Sequence, residues 1–344
     1  MIQTVPIPVT EANLVSNVPA TGDAWSAGTY DTGVQRVVDN FVYEVIASPN
    51  TDDEPTAGVA ADPPTWKRIA PIVPEWTAGS YNKGQQVSVG TEVYEVTATT
   101  STTDEPTAGV AEGSWIRVGS INRLSMFDFT IGRKTTRASP IVVEVTPGRI
   151  ANALALFQIE GAAVRVEVDD PVEGVLYDRT IQLVDNSAVQ SVYDFFFAPY
   201  DVATDAVFMD LPNLPGAAVR ITITGPGDVS VGEVVLGQQQ RLGITSRDVS
   251  LSIEDFSIKN EDGFGNVDID ERPYTDVVSF KVYVKAAQQK LVKRRLAEQR
   301  AKPAFYAAAE NRPETHVLGF LNNLVITRTT PIEAEMRIEV ESIV

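Results

Sequence analysis

Asp53-Glu54-Pro55-Thr56-Ala57-Gly58-Val59-Ala60 recurs letter for letter as Asp104-Glu105-Pro106-Thr107-Ala108-Gly109-Val110-Ala111. Working outward, Trp25-Ser26-Ala27-Gly28-Thr29-Tyr30 returns as Trp76-Thr77-Ala78-Gly79-Ser80-Tyr81, Gly33 as Gly84, and Tyr43-Glu44-Val45 as Tyr94-Glu95-Val96, all at an offset of 51 residues. Downstream, Trp66-Lys67-Arg68-Ile69 answers Trp115-Ile116-Arg117-Val118. An eight-residue identity inside matched flanks marks a tandem repeat. It divides the chain into an N-terminal arm (1–24), two modules (25–70 and 76–119) joined by a link containing Pro71 and Pro74, and a body (122–344).

Each copy is too short for an ordinary core. Short alternating runs such as Phe41-Val42-Tyr43-Glu44-Val45 and Glu92-Val93-Tyr94-Glu95-Val96, with Gly and Pro punctuation, predict small β-hairpins or three-stranded sheets. All four tryptophans of the protein (Trp25, Trp66, Trp76, Trp115) lie in the repeats, with paired tyrosines at Tyr30/Tyr81 and Tyr43/Tyr94. Two readings apply to these eight rings. A tiny domain without disulfides uses aromatics as its main buried area; alternatively, some rings are exposed as flat platforms for sugars.

From Asn122 onward tryptophan disappears and alternation becomes dense. Examples are Ile141–Val145, Val164–Val168, Val219–Thr224, Val249–Ile253, Phe280–Val284 and Met336–Val340, separated by turn residues such as Pro147-Gly148 and Gly225-Pro226-Gly227-Asp228. The expected fold is mainly β: two small β modules in tandem, then a larger β-sandwich, jelly-roll-like body. One basic helix is expected over 286–302, ended by Pro303, with a narrow stripe of Leu291, Val292 and Leu296. Its Lys290, Lys293, Arg294 and Arg295 suit a solvated face, docking against an acidic neighbouring subunit, or, least of all, DNA. The acidic loop Asn260–Glu271 lacks EF-hand spacing and reads as a solvated hairpin loop.

Composition excludes much chemistry. The chain has 344 residues, no cysteine, and a single histidine, His316. Disulfide scaffolds, zinc fingers, thiol nucleophiles and multi-histidine metal sites are therefore ruled out, and no cofactor is expected. Acids outnumber bases 46 to 28, a net charge of −18, which makes the chain a poor binder of phosphate backbones. Neither a P-loop, a strand-turn-helix G-x-G-x-x-G nor G-x-S-x-G occurs, and the acidic pairs Asp169/Asp170 and Glu254/Asp255 read as exposed turns rather than glycosidase acids. The first 20 residues carry no Lys or Arg but include Pro6, Pro8 and Pro19, so neither a secretion signal nor membrane insertion is expected.

Two resemblances follow. The order Trp25, Tyr30, Gly33, Val34, Tyr43, Pro55, Trp66, repeated as Trp76, Tyr81, Gly84, Val87, Tyr94, Pro106, Trp115, resembles the small chitin- and cellulose-type carbohydrate-binding modules of polysaccharide hydrolases. Those modules carry a further aromatic after the central Tyr, where this chain has Val45-Ile46-Ala47 and Val96-Thr97-Ala98. The body resembles structural proteins of tailed-bacteriophage virions. The residues that carry this are Asn122-Arg123-Leu124-Ser125-Met126-Phe127-Asp128, Val175-Leu176-Tyr177-Asp178-Arg179-Thr180, Val231–Gly237, and Asp262-Gly263-Phe264-Gly265-Asn266 followed by Arg272-Pro273-Tyr274.

The resemblances imply a non-enzymatic virion tail component (ring, sheath or tip), assembled in the host cytoplasm. It would contact other tail proteins and its own copies in a homo-oligomeric ring, and would display sugar-binding modules for attachment to host-surface glycan. The competing expectations are a polysaccharide-degrading enzyme with N-terminal binding modules, and repeats that act as protein–protein spacers without binding sugar.

Overall fold

The computed structural model describes residues 1–185, 191, 193, 201–261, 267–272, 274–328 and 330–343. The fold is mainly β, as the alternation predicts. Its centre is a nine-stranded sheet in the order Ala206–Phe208, Ala153–Phe157, Glu233–Arg241, Ile2–Pro6, Ala304–Ala307, Val317–Arg328, Glu333–Ser342, Tyr274–Lys285, Ile244–Asp255, with every neighbouring pair antiparallel. A five-stranded sheet, in the order Gly174–Gln182, Ala163–Asp170, Ala218–Thr224, Ile141–Val145, Leu14–Ser16, covers one half of it.

Period-two patterning explains the packing. Val164, Val166 and Val168, with Val219, Ile221 and Ile223, point from the smaller sheet into one core with Leu154, Leu156, Val234 and Leu236 of the larger. The other half of the nine-stranded sheet buries Val278, Phe280, Val282 and Val284 with Met336, Ile338 and Val340 beneath the helix Gln289–Glu298. Val292 and Leu296 are that helix's buried contacts, whereas Leu291, expected in the stripe, is 38% exposed. The helix is shorter than the 286–302 expected; backbone bonds from Gln299, Arg300 and Lys302 to residues three or four back close its end before Pro303.

The segment read as an N-terminal arm is woven into the body. Ile2–Pro6 pairs on both sides, Ile2 opposite Arg241 and Ala307, and Gln3 and Thr4 are buried. Leu14–Ser16 closes the edge of the five-stranded sheet beside Val143–Val145.

The repeat in sequence is a repeat in structure. The first copy has a three-stranded sheet (Gln35–Val38, Phe41–Val45, Trp66–Pro71), a two-stranded ladder (Tyr30–Asp31 with Asn50–Thr51) and a short helix, Pro55–Ala60. The second matches it with Gln86–Val89, Glu92–Val96, Trp115–Ser120, a ladder of Tyr81–Asn82 with Ser101–Thr102, and helix Pro106–Glu112. The central strand bulges at the same point in each, between Val42 and Tyr43 and between Val93 and Tyr94. The two helices were not expected from the sequence. They are under two turns long, started by a proline whose φ is already helical, and too short to show periodicity.

Both modules are docked on the body. Arg68 pairs with Asp228 at 3.0 Å, and Lys67 donates to the Ser139 carbonyl. Val93 belongs to the body's core, with Val73 and Val118 packed against it. Asn122 donates from Nδ2 to the carbonyls of Pro71 and Thr136, tying the link between modules to the body.

Candidate functional site

Of the eight aromatic candidates, four are interior. Trp66 and Trp115 are 1% and 2% exposed, and Tyr43 and Tyr94 are also buried. These four rings offer no face to a sugar, which corrects the reading of them as platforms; a module this small uses them as its core. The indole Nε1 of Trp66 donates to the Asp53 carbonyl at 3.0 Å, and that of Trp115 to the Asp104 carbonyl at 3.1 Å. The Asp53 carboxylate accepts from Thr51 and Thr65, and that of Asp104 from Thr102 and Ser114. Those hydroxyls hold the Asp104 carboxyl below its usual range. The segment repeated letter for letter is therefore a structural latch around a buried indole.

The rings that reach solvent are Trp25, Tyr30, Trp76 and Tyr81, all half-buried. The backbone N–H of Trp25 is held by the Val37 carbonyl and that of Trp76 by the Ser88 carbonyl. Tyr30 donates its hydroxyl to the Ser26 carbonyl at 2.6 Å and Tyr81 to the Thr77 carbonyl at 2.8 Å, so each Trp-to-Tyr loop folds back on itself. Tyr30 then meets Trp66 edge-on at 5.8 Å, and Tyr81 meets Trp115 at 5.6 Å.

The two copies differ in what lies against the matched tyrosine ring. The Arg36 guanidinium lies 4.8 Å over the Tyr30 ring. At the matching position the second copy has Val87, and Tyr81 instead lines a cleft of about 740 Å³ between the modules and the body. Asn40, Gln85, Gln86, Asn122 and Arg133 bring polar groups into the same cleft. Sequence reasoning missed this cleft because it is made by the approach of the copies; the one available signal was the Arg36/Val87 difference.

On the helix, Lys290, Lys293 and Arg294 are exposed and Arg295 is half-buried. Arg294 reaches Glu298 at 3.7 Å, and Lys290, Lys293 and Arg295 make no salt bridge among the described residues. Asp262–Asn266 of the acidic loop lie outside the described residues, while the flanking strands Ile258–Glu261 and Val267–Asp270 pair as the expected hairpin.

His316 lines a second cavity, of about 580 Å³, with Asp205, Asp276 and Glu314. Its Nε2 lies 3.2 Å from the Ala309 carbonyl, its ring meets Phe305 edge-on, and burial pushes its pKa down. Among the described residues no hydrogen bond joins it to an acid or a hydroxyl, and its Nδ1 has no partner there. No helix among the described residues is long and apolar enough to cross a membrane.

Compared with protein-family models, curated proteins and solved structures, the chain matches none.

Proposed function

We propose that this chain is a structural component of a tailed-phage virion, a tail protein that assembles through its β-rich body and presents its two modules to host-surface glycan. The observation that carries the reading is the pair of ring-bearing modules fixed to a large β-sandwich. Docking through Val93, Arg68 and Asn122 sets the modules at a constant spacing, which favours two weak sites acting on one polymer.

The sugar surface is then Trp25 with Tyr30 on one module and Trp76 with Tyr81 on the other. The cleft beside Tyr81 has the size of a small-ligand site and combines a ring with amide and guanidinium groups suited to hydroxyls. The protein acts by holding shape and presenting these surfaces; it forms and breaks no bond. Its place is the tail, reached by assembly in the host cytoplasm alongside other tail proteins and further copies of itself.

Two measurements test this. Imaging whole particles with a label on the chain should place it in the tail; its absence from particles overturns the virion reading. On glycan arrays, the Trp25→Ala/Trp76→Ala variant should bind at least about tenfold more weakly than the parent, because loss of a ring from each site also removes avidity. Equal binding, or none by the parent, would leave the modules as protein spacers. Cleavage of a polysaccharide, abolished by one carboxylate substitution, would make the chain an enzyme instead.

A further inference from the structure

We propose that copies of this chain join head to tail, the acidic hairpin end of one body seating on the basic helix of the next. The inference rests on the reading of the chain as a self-assembling ring component and names the two surfaces that meet.

The strand Ile244–Asp255 is the edge of the nine-stranded sheet and, among the described residues, is paired on one side alone. Sheet edges are normally guarded by being short, charged or covered. This one is twelve residues long, and with the hairpin beyond it carries uncovered apolar side chains: Leu251, Ile253, Phe256, Ile258, Ile269 and Tyr274. Ile253 is 68% exposed and Tyr274 64%. Exposed apolar groups gathered at one edge mark a contact surface.

Their setting is acidic. Glu254, Asp255, Asp270, Glu271 and Asp276 are all exposed there. Against them stand Lys259 and Arg272, and Arg272 is already engaged by Asp270 at 2.9 Å. At the opposite end of the same strand pair the sign reverses. Strand Tyr274–Lys285 leads through a turn into Gln289–Glu298, where Lys290, Lys293 and Arg294 are exposed, with Arg300 and Lys302 just beyond.

The strand Tyr274–Lys285 spans at most about 40 Å between the hairpin end and the turn that opens the basic helix, and among the described residues no ion pair joins the two. A second copy can supply the complement. A chain of net charge −18 repels its own copies in general, and a concentrated basic surface gives that repulsion one exception. Because the two surfaces differ, the contact is heterologous, and repeating it builds a ring or a helical stack rather than a closed pair.

The test is light scattering of the full chain over a concentration series at low and high salt, with two charge-reversal variants. One is Lys290→Glu/Lys293→Glu/Arg294→Glu; the other is Glu254→Lys/Asp255→Lys/Glu271→Lys. All six positions are exposed, and thermal melting checks that each variant is folded. The parent should assemble at low salt and weaken at high salt, and each variant alone should associate at least about tenfold more weakly. An equimolar mixture should restore assembly, since the reversed hairpin meets the reversed helix while the two native surfaces still match. Parent assembly that neither reversal moves, or a folded mixture that stays dissociated, overturns the inference and leaves the ring reading standing. A parent that stays monomeric at every concentration overturns both.

Discussion

Gly58 and Gly109 show how one atom can constrain a module. A Cβ built on either would lie 2.3 Å from the Cδ1 of the latched indole, Trp66 or Trp115. The helix must pass so close because the indole is the bulk of the module's core. Gly58→Ala and Gly109→Ala should therefore each destabilise their module by about 1–3 kcal/mol through overpacking, despite alanine's better helix propensity. Tryptophan emission during denaturant unfolding should report the loss.

Glu233 carries a different constraint. It is 2% exposed, its Oε2 has no partner among the described residues, and burial, aided by the nearby Asp128 charge, pushes its pKa up from 4.5 to about 9. The folded state thus holds a proton that the unfolded state has already released. Stability is fully present below about pH 4.5 and falls as pH rises through 9, by at most about 1.4 kcal/mol per pH unit. Glu233→Gln should flatten that slope, raising stability at pH 8 and leaving it little changed at pH 4. A melting-temperature series across pH measures both arms, and an unchanged slope would show that the group is ionised in the folded protein.

At the scale of elements, Ile2–Pro6 departs most from its sequence signature. Read from the sequence as part of an arm, with Pro6 at its end and no clear alternation, it lies between two strands. Its partners, near residues 237–241 and 305–307, are more than 230 positions away, so no local pattern announces the pairing. Thr4→Pro removes a backbone donor and adds a ring in the middle of this sheet. It should cost about 3 kcal/mol or more, read as a large fall in the body's melting temperature. The module strands, by contrast, were readable because their partners are near in sequence: Val42 faces Val37, and Val93 faces Ser88. The buried stripe of Gln289–Glu298 was readable at Val292 and Leu296, but whether Leu291 is covered depends on the sheet beneath.

For the molecule as a whole, the two modules are alike in sequence and unlike in coupling. Val42 belongs to a small cluster with Ile69 and Ala70, whereas its counterpart Val93 joins the body's main core. Val42→Ala and Val93→Ala should each cost about 1–3 kcal/mol of packing. The first should raise amide exchange only within module one, and the second in module two and the neighbouring body strands together. Equal and purely local effects would mean that the second module folds independently of the body. Arg68→Ala should change stability by less than about 1 kcal/mol, because its pair with Asp228 is half-exposed.

Sequence alone determined the tandem repeat, the alternation of the body strands, the single basic helix and the absence of thiol chemistry. Each is either a matter of composition or a pattern written over neighbouring residues. The tertiary structure decided which four aromatic rings face solvent, that the first residues form an interior strand, that a cleft opens beside Tyr81, and that acidic and basic surfaces occupy opposite ends of one strand pair. Those outcomes depend on contacts between residues far apart in the chain, and burial is a property of the neighbours a side chain meets, which local spacing does not encode.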